Sequence, residues 1–326
     1  MGSLGRLPLM ARPDGTAGQM ARVQLQARLK WPGGGLVLEA ALKTASDASV
    51  FRGRQGGRPV VVKKFWRRQI RRRQVGETVL ALGHFSSLHA HPEFSVNEYL
   101  ASSGWLGLVI VSFESGTPVD VLLKQPATNR AQILQMCSAW QRWASQGEST
   151  WSALPVERYA AEIRSLLSSY PEHPDMELLA ELGSALLQML PHFGTREASR
   201  SPGHPDFAPR NLILRPDTSL TAVDIHRSGT FFRARQAAVF LVSKDYNSKR
   251  SGAPLLYGLD QDEMQPFLAS GGVPEEDTGS VLAFFIGLTF LRMYAKKPGR
   301  PRRLQFKRRR IQAYLDDLRH GRRIMP

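Results

Sequence analysis

Between positions 201 and 229 the sequence reads SPGHPDFAPRNLILRPDTSLTAVDIHRSG. Asp206 precedes Asn211 by five positions, an apolar triplet follows, and Asp224 ends the next apolar stretch. Read as loop, strand, turn and strand, the segment would gather Asp206, Asn211 and Asp224 around one point. Phosphoryl transfer asks for that set: a carboxylate beside the incoming hydroxyl, and hard oxygen donors for magnesium. Asp206 is the candidate hydroxyl acceptor, and Asn211 and Asp224 are the candidate metal ligands. Asp and Asn are also common in turns and caps, so each residue alone would read as a turn residue. The ordered spacing is what favours chemistry. His204 is expected to hold the loop through backbone contacts.

The elements around this segment follow from pattern. Three strands are expected in GLVLEAALK, ASVFRGRQ and RPVVVKKFW, with Gly56 and Gly57 turning the hairpin between the last two. A helix is expected over 68–85, and strands near 96–100 and 106–113. Trp105, Phe113 and the run Val109 to Val111 read as core. From 127 onward the chain turns helical: Ile133, Met136, Trp140 and Trp143 recur at three- and four-residue steps. Further helices are expected over 155–169 and 176–193, and again after the β-like island at 200–226. The fold class is therefore α+β in two lobes. Residues 1–22 read as a flexible leader, 23–113 as a small β-rich nucleotide-binding lobe, 114–117 as a linker, and 118–326 as a larger helical lobe with the catalytic and acceptor-binding residues.

The H-x-D-x-x-x-x-N spacing, with its apolar strand and terminal Asp, resembles the catalytic and metal-binding loops of the protein-kinase-like superfamily. Pro205 after the histidine, and Asp224-Ile225-His226 at the second loop, resemble the small-molecule branch: aminoglycoside phosphotransferases, choline kinases and related sugar kinases. The string VDIHRSGTFFRARQAAVFLVS is similar to lipopolysaccharide core kinases, over a shorter match. The resemblance spans about 36–245 and implies a two-lobed kinase-like fold binding ATP and Mg2+. It implies that RPVVVKKF carries the phosphate-binding lysine, Lys63 by position and Lys64 as the fallback, braced by Glu77 on the next helix. The sequence departs from protein kinases in lacking G-x-G-x-x-G. The small residues of KTASDASV stand there instead, with Asp47 among them.

The chain has 326 residues, 42% of them apolar, and a formal net charge of +16. A single cysteine, Cys137, excludes an internal disulfide and any cysteine-based zinc cluster. The most apolar stretch, 281–291, is about half of the ~20 residues a membrane-spanning helix needs. The positive charge gathers at Arg67, Arg68, Arg71, Arg72 and Arg73, and between Lys296 and Arg323, where twelve Lys or Arg face only Asp316 and Asp317. Such charge points to an anionic partner. The expected acceptor is an anionic small molecule or glycolipid, such as a lipopolysaccharide core sugar. Nucleic acid is not the expected partner, and the expected location is the cytoplasm or the inner face of a membrane. The alternatives are an aminoglycoside- or choline-type kinase, and a pseudokinase that binds polyanion or membrane without turnover.

Overall fold

The computed structural model describes residues 15–31, 35–88, 90–126, 128–146, 149–246, 253–296 and 301–324. The described chain forms two compact units. The first holds residues up to Ser87, Val96–Ser115 and Ile225–Ser228; the second holds Leu88–Ser95, Gly116–Asp224 and Gly229 onward.

In the first unit, α1 (Thr16–Lys30) precedes β1 (Val37–Thr44), β2 (Ala48–Gln55) and β3 (Arg58–Phe65), followed by α2 (Arg71–Ser87). After β4 (Phe94–Val96), at the boundary between the units, come β5 (Tyr99–Ser103) and β6 (Leu108–Ser112). The five-stranded sheet has the order β1-β2-β3-β6-β5 with antiparallel pairing throughout. Gly56 and Gly57 form the two-residue turn between β2 and β3, with φ of 55° and 82°. Both central positions of this hairpin turn need the left-handed backbone that glycine supplies without strain.

The two faces of this sheet differ. Phe51, Val60, Val62, Leu108 and Ile110 form a buried cluster with Val23 and Ala27 of α1. Val61, Lys63 and Phe65 point to the opposite face, because strand side chains alternate. The first half of helix α1, to Arg22, falls in the expected flexible leader; residues 1–14 of that leader lie outside the described residues. From Thr16 the chain is helical because its buried face, Gln19, Val23, Gln26 and Ala27, finds the sheet. Three glutamines fasten it. Gln24 accepts from Leu38 N at 2.6 Å. Gln19 Oε1 accepts from Ser49 Oγ at 2.8 Å. Gln26 Oε1 accepts from Lys64 Nζ at 2.9 Å.

The second unit carries β7 (Thr117–Pro118), α3 (Val119–Leu122), α4 (Arg130–Ala144), β8 (Thr150–Ala153), α5 (Val156–Ser168) and α6 (Met176–Met189). Next come β9 (Glu197–Pro202), β10 (Leu212–Leu214), β11 (Leu220–Ala222) and β12 (Thr230–Phe232). The chain closes with α7 (Arg233–Tyr246), β13 (Leu255–Leu256), β14 (Leu259–Asp260), α8 (Gln261–Ala269), α9 (Glu275–Thr278), α10 (Ser280–Lys296) and α11 (Pro301–Arg319). Helix α10 is the buried centre: every residue from Val281 to Leu291 is buried. None of the described helices is both long and apolar enough to cross a membrane.

Two sequence expectations are corrected. Trp105 is 66% exposed, in a turn, with the Arg71 guanidinium 5.9 Å from its ring centre; the core takes Val109, Ile110 and Val111 instead. In the C-terminal basic run, a polyanion-binding surface in the pseudokinase alternative, four arginines are engaged in ion pairs with this chain's own carboxylates. Arg308 pairs with Asp175, Arg310 with Asp260 at 3.1 Å, Arg319 with Glu181 and Asp316, and Arg322 with Asp317 at 3.0 Å. These pairs fix α11 to α6, to β14 and to the segment before α6.

Candidate functional site

The hairpin β10–β11 pairs Leu212 with Ala222 and Leu214 with Leu220, so Asn211 and Val223 lie at its open end. Val223 N donates to Asn211 O at 2.9 Å. Asp206 lies in the loop that leads into β10. The Asn211 side chain ties it down: Nδ2 donates to Asp206 O at 2.8 Å and to Asp206 Oδ2 at 3.1 Å.

His204 completes the frame. It is fully buried, and its Nδ1 accepts from Asp206 N at 3.1 Å. That bond makes Nδ1 the unprotonated nitrogen, so Nε2 carries the hydrogen and donates to Val223 O at 2.8 Å. One imidazole thus joins the backbone of Asp206 to the residue preceding Asp224. The ring sits on aromatic packing: Trp140 meets it edge-on at 6.4 Å and stacks on Phe207 at 5.6 Å. Phe207 continues through Phe240 to Phe267.

Asp224 follows directly with φ of 62°. A left-handed backbone costs a non-glycine residue roughly 1–2 kcal/mol, and such strain persists only where neighbours over-determine it. Val223, held at both N–H and C=O, supplies that constraint. Asp206, Asn211 and Asp224 therefore arise from one hydrogen-bonded hairpin and its flanking loops.

The donor set suits magnesium. With its Nδ2 committed to Asp206, the Asn211 Oδ1 oxygen accepts from no described residue. An amide oxygen and the Asp224 carboxylate are hard donors of the kind Mg2+ takes, few in number, with phosphate and water completing the shell. A second group of carboxylates close enough to hold an ion is Asp245, Asp260 and Glu263, but three cations neutralise it. Lys244 pairs with Asp245 and Glu263, Arg130 with Glu263, and Arg310 with Asp245 and Asp260. Burial alone would raise the Glu263 carboxyl, but Arg130 and Lys244 outweigh it and bring it down to about 2. This is a structural network joining α4, α7, α8, β14 and α11.

In the first unit, the two lysines expected as alternatives separate by face. Lys63 lies on the face away from α1, with its Nζ 5.3 Å from the Phe65 ring centre. Lys64 is buried beneath α1, where it donates to Gln26 and to Leu106 O. Burial, with Arg71 and Arg22 nearby, pushes its amine down to about 7. The expected brace on Lys63 is Glu77. Glu77, on α2, lies 3.6 Å from Arg73 Nε one turn earlier on the same helix. In the turn between β1 and β2, the Asp47 carboxylate accepts from Ala48 N at 3.1 Å.

The sequence reading missed Arg210. It follows Asp206 by four positions, and its Nη2 lies 2.7 Å from Asp206 Oδ2. Both residues line a cleft of about 520 Å3 walled by α5, α7 and α10. The i, i+4 spacing of opposite charges was visible in the sequence.

No protein-family model matches the chain, and no curated protein matches it by sequence. Solved structures do match. The choline kinase LicA of Streptococcus pneumoniae superposes with a TM-score of 0.60 at 12% identity, over 90% of this chain and 99% of that one. The fold is protein-kinase-like. The aminoglycoside phosphotransferase APH(4)-Ia gives 0.61 at 14% identity, covering 92% and 99%. A streptomycin–ATP ternary complex of APH(2")-IIa gives 0.55 at 13%, covering 95% and 99%.

Proposed function

We propose that the protein transfers the γ-phosphoryl group of ATP to a hydroxyl of a sugar or other small molecule. The observation that carries this reading is the His204 clamp, which holds the Asp206 loop and the residue before Asp224 in one frame.

In this reading Asp206 orients the acceptor hydroxyl and takes up its proton as the oxygen attacks phosphorus. Asn211 holds the carboxylate in place through Oδ2 and through the backbone. Arg210, on the same oxygen, lies where a substrate would displace it or share it. Asn211 and Asp224 would hold Mg2+, which when bound neutralises charge on the transferred phosphoryl group. Lys63 is assigned to the nucleotide phosphates on its strand position and its face, away from α1; Lys64 is occupied beneath the helix. Glu77 is assigned as its brace, a pairing that its loose contact with the exposed Arg73 leaves open.

Choline and aminoglycosides, the acceptors named for the similar structures, are cations. A net charge of +16 disfavours them as ligands here and favours an anionic acceptor, of which a lipopolysaccharide core sugar is one class. A seat on an anionic membrane face would use Arg67, Arg68 and Arg71 to Arg73, since Arg308, Arg310 and Arg319 of α11 are engaged by carboxylates of this chain. The test is a screen for ADP formation with neutral, cationic and anionic sugars, run beside Asp206→Asn. Turnover with a small-molecule hydroxyl, lost in that variant, supports the reading. Full turnover in the variant contradicts it.

A further inference from the structure

The cleft that Asp206 opens into carries four arginines, Arg158, Arg210, Arg235 and Arg292, against two carboxylates, Glu162 and Asp206. Two of the arginines are neutralised locally. Arg292 grips Glu162 with two parallel bonds of 2.6 and 2.8 Å, and Arg210 pairs with Asp206 at 2.7 Å. Arg158 and Arg235 have no carboxylate at ion-pair distance among the described residues.

Arg235 is the more telling of the two. It lies in the first turn of α7, which has no acidic residue and whose positive end disfavours a cation. It is half-buried, and burial, with Arg292 and Arg158 beside it, lowers its guanidinium from the ordinary value. The Glu162 carboxylate, already gripped by Arg292, offsets this only in part. A helix face with Val239 and Ser243 at the following four-residue steps aims it into the cleft. An unpaired, partly desolvated guanidinium is costly, and its fork matches a phosphate or carboxylate in two bonds.

Resting on the kinase reading above, we infer that this cleft is the acceptor site and that Arg235, supported by Arg158, binds an oxyanion, a phosphate or carboxylate, carried by the acceptor itself. The acceptor is then an already phosphorylated or acidic sugar, and Arg235 sets its specificity.

The test is calorimetric titration of the full chain with glucose 6-phosphate, glucuronate, glucose and inorganic phosphate at fixed ionic strength. It is repeated in Arg235→Gln, Arg235→Lys and Arg158→Gln, with the thermal shift by Mg·ATP recorded for each. The account predicts binding of the charged sugars but not of glucose. It predicts about tenfold or greater weakening in Arg235→Gln, a smaller loss in Arg235→Lys, and an unchanged Mg·ATP shift in both. A Mg·ATP shift in wild type without oxyanion binding, or equal binding in Arg235→Gln, would overturn the inference and leave the kinase reading standing. Oxyanion binding in a protein that Mg·ATP does not shift would overturn the acceptor assignment together with that reading. Relative affinity for glucose 6-phosphate and glucuronate identifies which oxyanion the arginines accept.

Discussion

His204 donates from Nε2 to Val223 O at 2.8 Å, and its other nitrogen accepts from Asp206 N. A buried histidine in a polar loop invites a catalytic interpretation. Here both nitrogens are used on backbone, so the residue is a positioning residue. It sets the distance between the Asp206 loop and the segment leading to Asp224.

Replacing His204 with Ala should leave Val223 O and Asp206 N unsatisfied in a buried place, at a cost of about 1–3 kcal/mol each. Urea denaturation should show the loss in stability. Where the variant stays folded, its thermal shift by Mg·ATP should also shrink, because Asp224 loses its constraint. A destabilised variant with an undiminished nucleotide shift would limit His204 to folding.

Asp206→Asn should retain the Mg·ATP shift and lose about 10²- to 10⁴-fold in kcat, the range spanned by a single proton acceptor. Steady-state ADP release with an acceptor found in the screen measures it. An equal loss in nucleotide affinity would move Asp206 from proton transfer to metal binding.

Lys63 and Lys64 are sequence neighbours with opposite expected phenotypes. Lys63→Ala should weaken Mg·ATP binding about tenfold, by loss of a charge-assisted phosphate contact. Lys64→Met should leave nucleotide binding unchanged and alter stability with pH. The folded amine titrates at about 7, below its unfolded value of roughly 10.4. Between these values the unfolded chain binds more protons, so stability rises with pH across that window. Below pH 7 the cost of the buried charge is fully present. Urea midpoints of wild type should therefore rise relative to Lys64→Met between pH 7 and 9.5, and parallel curves would contradict the assignment.

Glu263 faces both Lys244 and Arg130 in the buried network. Glu263→Ala should destabilise by about 3–5 kcal/mol, because it removes the carboxylate from Arg130 and leaves the buried Lys244 with Asp245 alone. Adding Lys244→Met should recover part of that loss in urea denaturation. Additive losses would mean the charges are not coupled.

Much of this fold is legible in the sequence where apolar pattern and turn chemistry agree. The second strand, 48–55, and its two-glycine turn are found where the pattern puts them, as are the helix carrying Trp140 and the β10–β11 hairpin. Helix α1 was not legible, because its buried face alternates Gln19 and Gln26 with Val23 and Ala27, and glutamines give no apolar periodicity. Their partners, Ser49 and Lys64, lie 30 and 38 residues away. Trp105 misled in the opposite sense: a large aromatic reads as core, but the turn it occupies faces solvent. The pairing of Arg308 and Arg319 was not legible because their partners Asp175 and Glu181 are more than 130 residues away. That Lys63 and Lys64 lie on opposite faces of the sheet follows from alternation, but which face is covered is known only once the covering helix is.

The most direct test of the central claim is the melting temperature of wild type and Asp224→Ala with ATP, with and without magnesium. A ligand that binds only the folded state stabilises it by mass action, about 2.7 kcal/mol at a hundredfold excess over Kd. The account predicts a rise of several degrees in wild type that requires magnesium and disappears in Asp224→Ala. No rise in wild type at millimolar nucleotide, or the same rise in the variant, would contradict it.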